Sequence, residues 1–281
     1  MKGDLHMHSN SSDGVLSSPE LVKIAKEKNI DIIAITDHDT TAGIDLALEM
    51  GQKLGVKVIP GIELSTNFKG ESIHILGYFR DHSYKSNNLL NFLNEMKEKR
   101  KNRAKEMVEK IKEIHNINIS YEDILQKAKG IIARPHIAKA IVDAGYDYSW
   151  DYIFDNIIGN DCPAYIPSIK LPTGEGIDLL KRNNALVVLA HPTIISEKNL
   201  QNVLEFNFDG LEAIYPEKSI NKAEKFRNIA KKKGIFVTAG SDFHGELDVG
   251  TKHNDMGTVT LKDEELNVFL SELKMENGEW I

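Results

Sequence analysis

The chain is nearly without cysteine. Its lone thiol, Cys162, excludes an internal disulfide and reads as a structural or idle group. No apolar run approaches the roughly 20 residues that a membrane helix needs. The opening stretch, Met1-Lys2-Gly3-Asp4-Leu5-His6, lacks the apolar segment of a signal peptide and already reads as folded structure. Internal repeats and low-complexity tracts are also missing. Together these absences favour a cytoplasmic protein with no membrane attachment. Positive charge is in deficit too, with 35 Lys/Arg against 42 Asp/Glu. The deficit is uneven. Residues 86–139 carry 12 basic and 7 acidic side chains, while the remainder carries 23 and 35. A basic segment on an acidic body suits an anionic ligand nearby, although a solvated, salt-bridged helix face has the same composition. No stable DNA binding is expected.

What the chain does have is the make-up of a soluble globular protein, 41% hydrophobic and 27% charged. Its 281 residues suffice for one large core, or for a core with an inserted lobe. Short apolar runs alternate with helical patterns, which signals βα units and a largely parallel sheet. Strands are expected near 3–8, 31–36, 56–63, 72–79, 185–190, 209–214 and 234–240. Helices are expected at 18–28, 41–54 and 219–233, the first opened by Ser18 as N-cap with Pro19 at its first position. The alternation stops between about 82 and 165. There, residues 87–115 predict one long charged helix with apolar residues at Leu90, Leu93, Met107, Ile111 and Ile114. The expected class is therefore α/β: a distorted (β/α)7 TIM-like barrel. Residues 1–81 and 166–281 form the barrel, and 82–165 form an all-helical insertion placed as a lid over the site.

Six of the ten histidines fall at or just past the C-terminal ends of expected strands: His6, His8, His38, His74, His191 and His244. Asp13, Glu63 and Asp242 share such positions. Loops from many strands converge at that end of a β/α barrel, which is where its chemistry sits. In His6-Met7-His8 the two imidazoles are two residues apart on a strand and so point the same way, as a pair of metal ligands does. Asp4 shares their face, either orienting a histidine or serving as a buried structural acid. Nothing about strand stability calls for Asp37-His38-Asp39 after Ile32-Ile33-Ala34-Ile35-Thr36. Glu63 follows another strand, where a carboxylate can bridge two metals. The donor set is nitrogen and oxygen, which suits Zn, Mn or Fe.

These residues carry a resemblance. Asp4-Leu5-His6-Met7-His8-Ser9, Thr36-Asp37-His38-Asp39, Ala190-His191-Pro192 and Ser241-Asp242-Phe243-His244 resemble, in order, the motifs of the PHP (polymerase and histidinol phosphatase) family. Gly61-Ile62-Glu63, His74-Ile75-Leu76-Gly77-Tyr78 and Ala133-Arg134-Pro135-His136-Ile137-Ala138 resemble its small phosphoesterases that act on nucleotides. The resemblance implies three divalent ions (Mn, Fe or Zn). His6, His8, Glu63 and Asp242 would hold the first. Glu63, His74 and His191 would hold the second, and Asp13, His38 and His244 the third. It implies Arg134 and His136 as contacts to a substrate phosphate, with Lys170 and Tyr165 as weaker candidates.

The expected reaction is hydrolysis of a nucleotide phosphomonoester, either a 3′,5′-bisphosphate or a 5′-phosphorylated short RNA. The nucleophile would be a hydroxide bridging two metals at Glu63. His136 or His191 would protonate the leaving group. Three alternatives stand beside this reading: a histidinol phosphate or other small-molecule phosphatase, an amidohydrolase, and a non-catalytic metal-binding regulatory module. The Arg-Pro-His segment speaks against the first. Amidohydrolases usually supply a bridging lysine where this chain has Glu63 and His74. A decayed module would have lost ligands.

Overall fold

The computed structural model describes residues 1–128, 132–167, 171–215, 220–245 and 255–274. Strands and helices first alternate: β1 (Lys2–Asp4), α1 (Ser18–Glu27), β2 (Ile32–Ile35), α2 (Ile44–Leu54), β3 (Lys57–Phe68) and β4 (Glu71–Phe79). Four helices then run without a strand: α3 (Asn87–His115), α4 (Tyr121–Lys127), α5 (Arg134–Asp143) and α6 (Trp150–Asn156). Alternation resumes with α7 (Thr173–Arg182), β5 (Ala185–Leu189), α8 (Glu197–Val203), β6 (Gly210–Ile214), α9 (Ile220–Lys233), β7 (Phe236–Ala239), β8 (Leu261–Lys262) and α10 (Asp263–Glu272).

The strands form one sheet in the order β7-β6-β5-β4-β3-β2-β1-β8. The sheet curls until the segments following β1 and β7 meet. Leu5 N–H donates to the Ala239 carbonyl at 3.0 Å, Asp242 N–H to His6 at 2.9 Å, and His8 N–H to Phe243 at 2.8 Å. The expected nearly closed α/β barrel is therefore present. Three details differ from the sequence expectation. β3 and β4 form an antiparallel hairpin, and β4 and β5 are antiparallel too. An unexpected eighth strand, β8, runs antiparallel to β1, so parallel pairing is confined to β1–β2–β3 and β5–β6–β7. The hairpin turns at Lys69 and Gly70, with φ of 51° and 92°. Two consecutive left-handed residues match the right-handed twist of the strands they join. Also, α1 is capped by Ser17 rather than Ser18: Ser17 N–H donates to Glu20 Oε2 at 2.7 Å, which closes the first turn.

β2 shows why this sequence makes a barrel wall. Ile32 and Ala34 face one apolar cluster, while Ile33 and Ile35 face another, built with Leu21, Val22 and Ala25 of α1. A period of two feeds both faces of a strand covered on both sides. Among α3 to α6 a separate core forms from Met107, Ile111, Ile124, Ile137, Ile141 and Ile153. α3 belongs to both regions. Leu89 and Leu93 pack in the barrel's core, whereas Ala104, Met107, Val108 and Ile111 pack in the helical one. Ile114, expected on its apolar stripe, is exposed.

Candidate metal centre and arginine-lined cavity

All nine expected ligands come to one place, seven of them from the segments after β1, β2, β5 and β7. The other two, Glu63 and His74, were expected at C-terminal strand ends. They lie instead within β3 and near the N-terminal end of β4, whose antiparallel course brings that end to the site. Glu63, at the bend of β3, is the hub. Its Oε2 lies 3.2 Å from His6 Nε2, 3.1 Å from His8 Nε2 and 3.1 Å from His38 Nδ1. Its Oε1 lies 2.9 Å from both His74 Nδ1 and His191 Nε2. Asp242 Oδ1 is 3.4 Å from His6 Nε2 and 3.0 Å from His8 Nε2. Asp13 Oδ1 is 3.4 Å from His244 Nε2, and its Oδ2 is 3.8 Å from His38 Nε2. Close backbone approach makes this crowding possible: a Cβ at Gly240 would lie 2.2 Å from that of His6. Asp39, His191 and Asp242 all hold positive φ, at 52°, 27° and 52°. Such backbone is costly for non-glycine residues and persists where the surroundings enforce it.

Three sets of donor atoms lie within 4.8 Å of one another: His6, His8, Glu63 and Asp242; His8, Asp13, His38 and His244; and His38, Glu63 and His74. His191 approaches Glu63 but stands outside these sets. Several inward-facing atoms (His6 Nε2, His8 Nδ1, His38 Nδ1 and Glu63 Oε2) are buried with no hydrogen-bond partner among the described residues. Polar atoms are rarely left so in a folded interior. Divalent cations would satisfy all of them, so the donor set fits the metals that the motifs imply. Protonation tells the same story. Burial pushes the Glu63 carboxyl up, but the imidazoles of His38, His6 and His74 outweigh it and hold it well below the usual carboxylate range. Burial pulls His8 down, yet the Asp242 and Glu63 carboxylates raise it to about 10. His38, where burial wins, falls to about 4. Carboxylates and imidazoles packed this closely favour a positive charge between them, as a metal site does.

Buried neighbours fix the ligands. Glu212, in mid-β6, accepts from His6 Nδ1 at 2.9 Å and from the backbone N–H of His191 at 2.7 Å. Tyr215 donates to Asp242 Oδ2 at 2.8 Å. Asp37 accepts from Ser9 and Ser12, three bonds of 2.7 Å that shape the loop carrying Asp13. Sequence reasoning missed Glu212 and Tyr215. The available signal for Glu212 was a charge inside the apolar strand Gly210-Leu211-Glu212-Ala213-Ile214. Asp4 pairs with no histidine side chain; of the histidines it meets only the backbone of His6. It accepts from Ser241 N–H and Oγ and from Gly257 N–H at 2.7–2.9 Å, as a structural acid whose burial raises its pKa to about 6.

A cavity of about 540 Å³ opens over this centre. Asp13, His38 and His74 line its floor, and Arg100, Arg103, Arg134, Phe154, Asn160 and Tyr165 line the opposite wall. Tyr165 lies between two guanidiniums, 5.4 Å from Arg103 and 5.6 Å from Arg134. Arg103 Nε donates to the Ile166 carbonyl at 2.6 Å, and Arg134 donates to Asn160 Oδ1 at 2.9 Å. Neither has a carboxylate partner among the described residues. Arg100 pairs with Asp39, whose other oxygen accepts from Ser65 N–H at 2.8 Å. Burial lowers the Arg103 pKa, and the nearby charges of Arg134 and Arg100 add to that. Of the expected phosphate contacts, Arg134 and Tyr165 line the cavity. His136 does not; its Nδ1 accepts from Ala133 N–H at 3.0 Å and closes the first turn of α5. Lys170 lies outside the described residues. Arg100 and Arg103 were not singled out from sequence, because a helix rich in Lys, Arg and Glu reads as a solvated face.

The chain is similar to known proteins along most of its length. The PHP domain model matches residues 4–157. A 5′-3′ exoribonuclease of Haemophilus influenzae is 30% identical over 258 residues, spanning 89% of this chain and 93% of that protein. A 3′,5′-nucleoside bisphosphate phosphatase of Chromobacterium violaceum is 26% identical over 260 residues, spanning 88% and 90%. Among solved structures, a proposed metal-dependent phosphoesterase of Bifidobacterium adolescentis superposes with a TM-score of 0.83 at 28% identity, over 98% of this chain and 96% of that one. By motif order, barrel and relatives alike, the chain belongs to the PHP domain family.

Proposed function

We propose that the protein is a metal-dependent phosphomonoesterase acting on a nucleotide that carries a second phosphate, a 3′,5′-bisphosphate or the end of a short 5′-phosphorylated RNA. One observation carries this reading: a wall of three arginines faces a floor of metal ligands across a single cavity. A substrate spanning it would present one phosphate to the floor and another anionic group to the wall. Guanidinium forks match phosphate oxygens in two-point contacts. The cavity volume of about 540 Å³ falls within the range of small-molecule sites and favours a nucleotide-sized ligand over a long chain.

The nine ligands would hold up to three ions of Mn, Fe or Zn. When bound, such ions supply Lewis acidity, neutralising phosphoryl charge and acidifying water. The protein's own residues do the rest. Glu63 joins the histidines from separate strands into one frame. Arg134 and Arg103 orient the second phosphate and set the reacting one in line. His191 is committed to Glu63, and His136, whose Nδ1 is taken by the Ala133 N–H, does not line the cavity, so proton delivery to the leaving oxygen is assigned to neither. In this reading residues 82–165 act as the lid, contributing Arg134 and Phe154, and the barrel is formed by 1–81 and 166–281. Among the described residues no helix is long and apolar enough to cross a membrane, in keeping with a cytoplasmic placement.

A phosphate-release screen tests the proposal. Protein loaded with Mn, Fe or Zn is assayed against 3′,5′-bisphosphate and monophosphate nucleotides, 5′-phosphorylated short RNAs and histidinol phosphate. The expected result is preferential turnover of the doubly phosphorylated nucleotides. Release from no phosphate ester with any metal would overturn the activity, and preference for histidinol phosphate would overturn the substrate class.

A further inference from the structure

Glu212 is fully buried at the middle of β6, away from the cavity. Its two oxygens serve two different strands. Oε1 accepts the Nδ1 proton of His6, after β1, and Oε2 accepts the backbone N–H of His191, after β5. His191 is held at φ 27° and ψ 60°, outside the regions that non-glycine residues favour. We infer that Glu212 is a positioning residue of the metal centre: it fixes the tautomer of His6 and holds the turn that aims His191 at Glu63.

The tautomer argument is one of proton count. A neutral imidazole carries one N–H. With that proton on Nδ1 and donated to Glu212, Nε2 presents a lone pair toward Glu63 and Asp242, 3.2 and 3.4 Å away. In the opposite tautomer Nε2 would carry a proton there, and that proton would occupy the position a cation needs. The backbone argument concerns donors. The His191 N–H points at a carboxylate, which favours this turn over relaxed alternatives. Both partners are donors, so the residue between them must accept twice. Carboxylate does this. The amide of glutamine, almost the same size, accepts at one end and donates at the other. Whichever way it turns, it either meets the His191 N–H with another N–H or forces His6 to surrender its Nδ1 proton.

The inference rests on reading the cluster as a metal centre, and its test separates the two. Metal-free wild-type protein, Glu212→Gln and Glu212→Asp are titrated with Zn²⁺ by calorimetry, and their metal-free melting curves are recorded. Glu212→Gln is expected to bind Zn²⁺ about 10- to 100-fold more weakly, the scale found for partners that orient metal-bound histidines, with its melting curve nearly unchanged. Glu212→Asp, which keeps two acceptors, should recover part of the loss. Wild-type affinity and stoichiometry in Glu212→Gln would overturn the inference alone. Absence of Zn²⁺ binding by the wild type would overturn the metal reading beneath it. Should Glu212→Gln not fold, nitrogen-15 spectra of histidine-labelled, Zn-loaded wild type decide. A slowly exchanging Nδ1 proton and a ligated Nε2 on His6 are expected, and ligation through Nδ1 overturns the assignment.

Discussion

The barrel rim and the helical wall opposite it are built on contrary principles. At the rim, carboxylates and imidazoles from six separate segments are pinned by buried acceptors and donors, and several ligand atoms face inward without a hydrogen bond. At the wall, three guanidiniums crowd one cavity, and burial, with like charge added to it, lowers the pKa of Arg103. Neither region is electrostatically balanced by itself. The first gathers carboxylates and imidazole nitrogens; in the second Arg100 pairs with Asp39, while Arg103 and Arg134 have no carboxylate partner among the described residues. A protein selected only for stability has no reason to keep either. On the proposed function, the difference teaches that binding free energy is held as charge on both sides of one space, and that a phosphate-bearing ligand between metals and arginines would relieve both.

The comparison can be broken most severely at its hub. Glu63→Ala is expected to weaken metal binding more than about 100-fold, beyond the cost of losing an outer partner. The helical core around Met107 and Ile111 should keep its hydrogen-exchange protection. Elemental analysis of the purified variant is the measurement, and full metal content would remove Glu63 from its bridging role. On the other side, Arg134→Ala and Arg103→Ala should each lower kcat/KM by about 10- to 150-fold, the equivalent of a charged hydrogen bond of about 1.5–3 kcal/mol, with metal content intact. Steady-state kinetics with parallel metal analysis checks this; metal loss in either variant would make that arginine structural. The smallest effect belongs to the seam. Arg100→Ala removes the partner of buried Asp39, which keeps its Ser65 N–H. Stability should fall by about 1–2 kcal/mol, seen as a lower melting temperature of the metal-loaded protein. An unchanged melting temperature would show that the two regions do not depend on this pair.

Much of the rim was legible in sequence because its residues violate local expectation. Asp37-His38-Asp39 after a β-branched strand, or His6 and His8 in an apolar one, serve no purpose in strand packing. Their placement at strand ends then gave a common face. The wall was legible at Arg134, through its motif, and more weakly at Tyr165. Arg100 and Arg103 sit among lysines and glutamates on a helix, where composition does not distinguish a cavity-facing charge from a solvated one. Glu212 looked like an ordinary strand residue because its purpose depends on two partners distant in the chain. The β3–β4 hairpin escaped for a different reason. Its β3 arm continues past Glu63 to Phe68, and the polar stretch Ser65-Thr66-Asn67 reads as a loop until its antiparallel partner is known. Asp4 illustrates the limit of face-sharing: the right side of a strand placed it near the ligands, but its bonds go to Ser241 and Gly257.

α3 runs for 29 residues, about 44 Å at 1.5 Å per residue. Its first turns are rooted in the barrel core, and its later turns carry the helical core. Arg100 and Arg103 fall at the crossing point, where the rod leaves one foundation for the other. The distance from these two arginines to the candidate metal ligands is therefore set by a helix seated in the barrel core rather than by a loop, as a ruler fixed at one end sets a length.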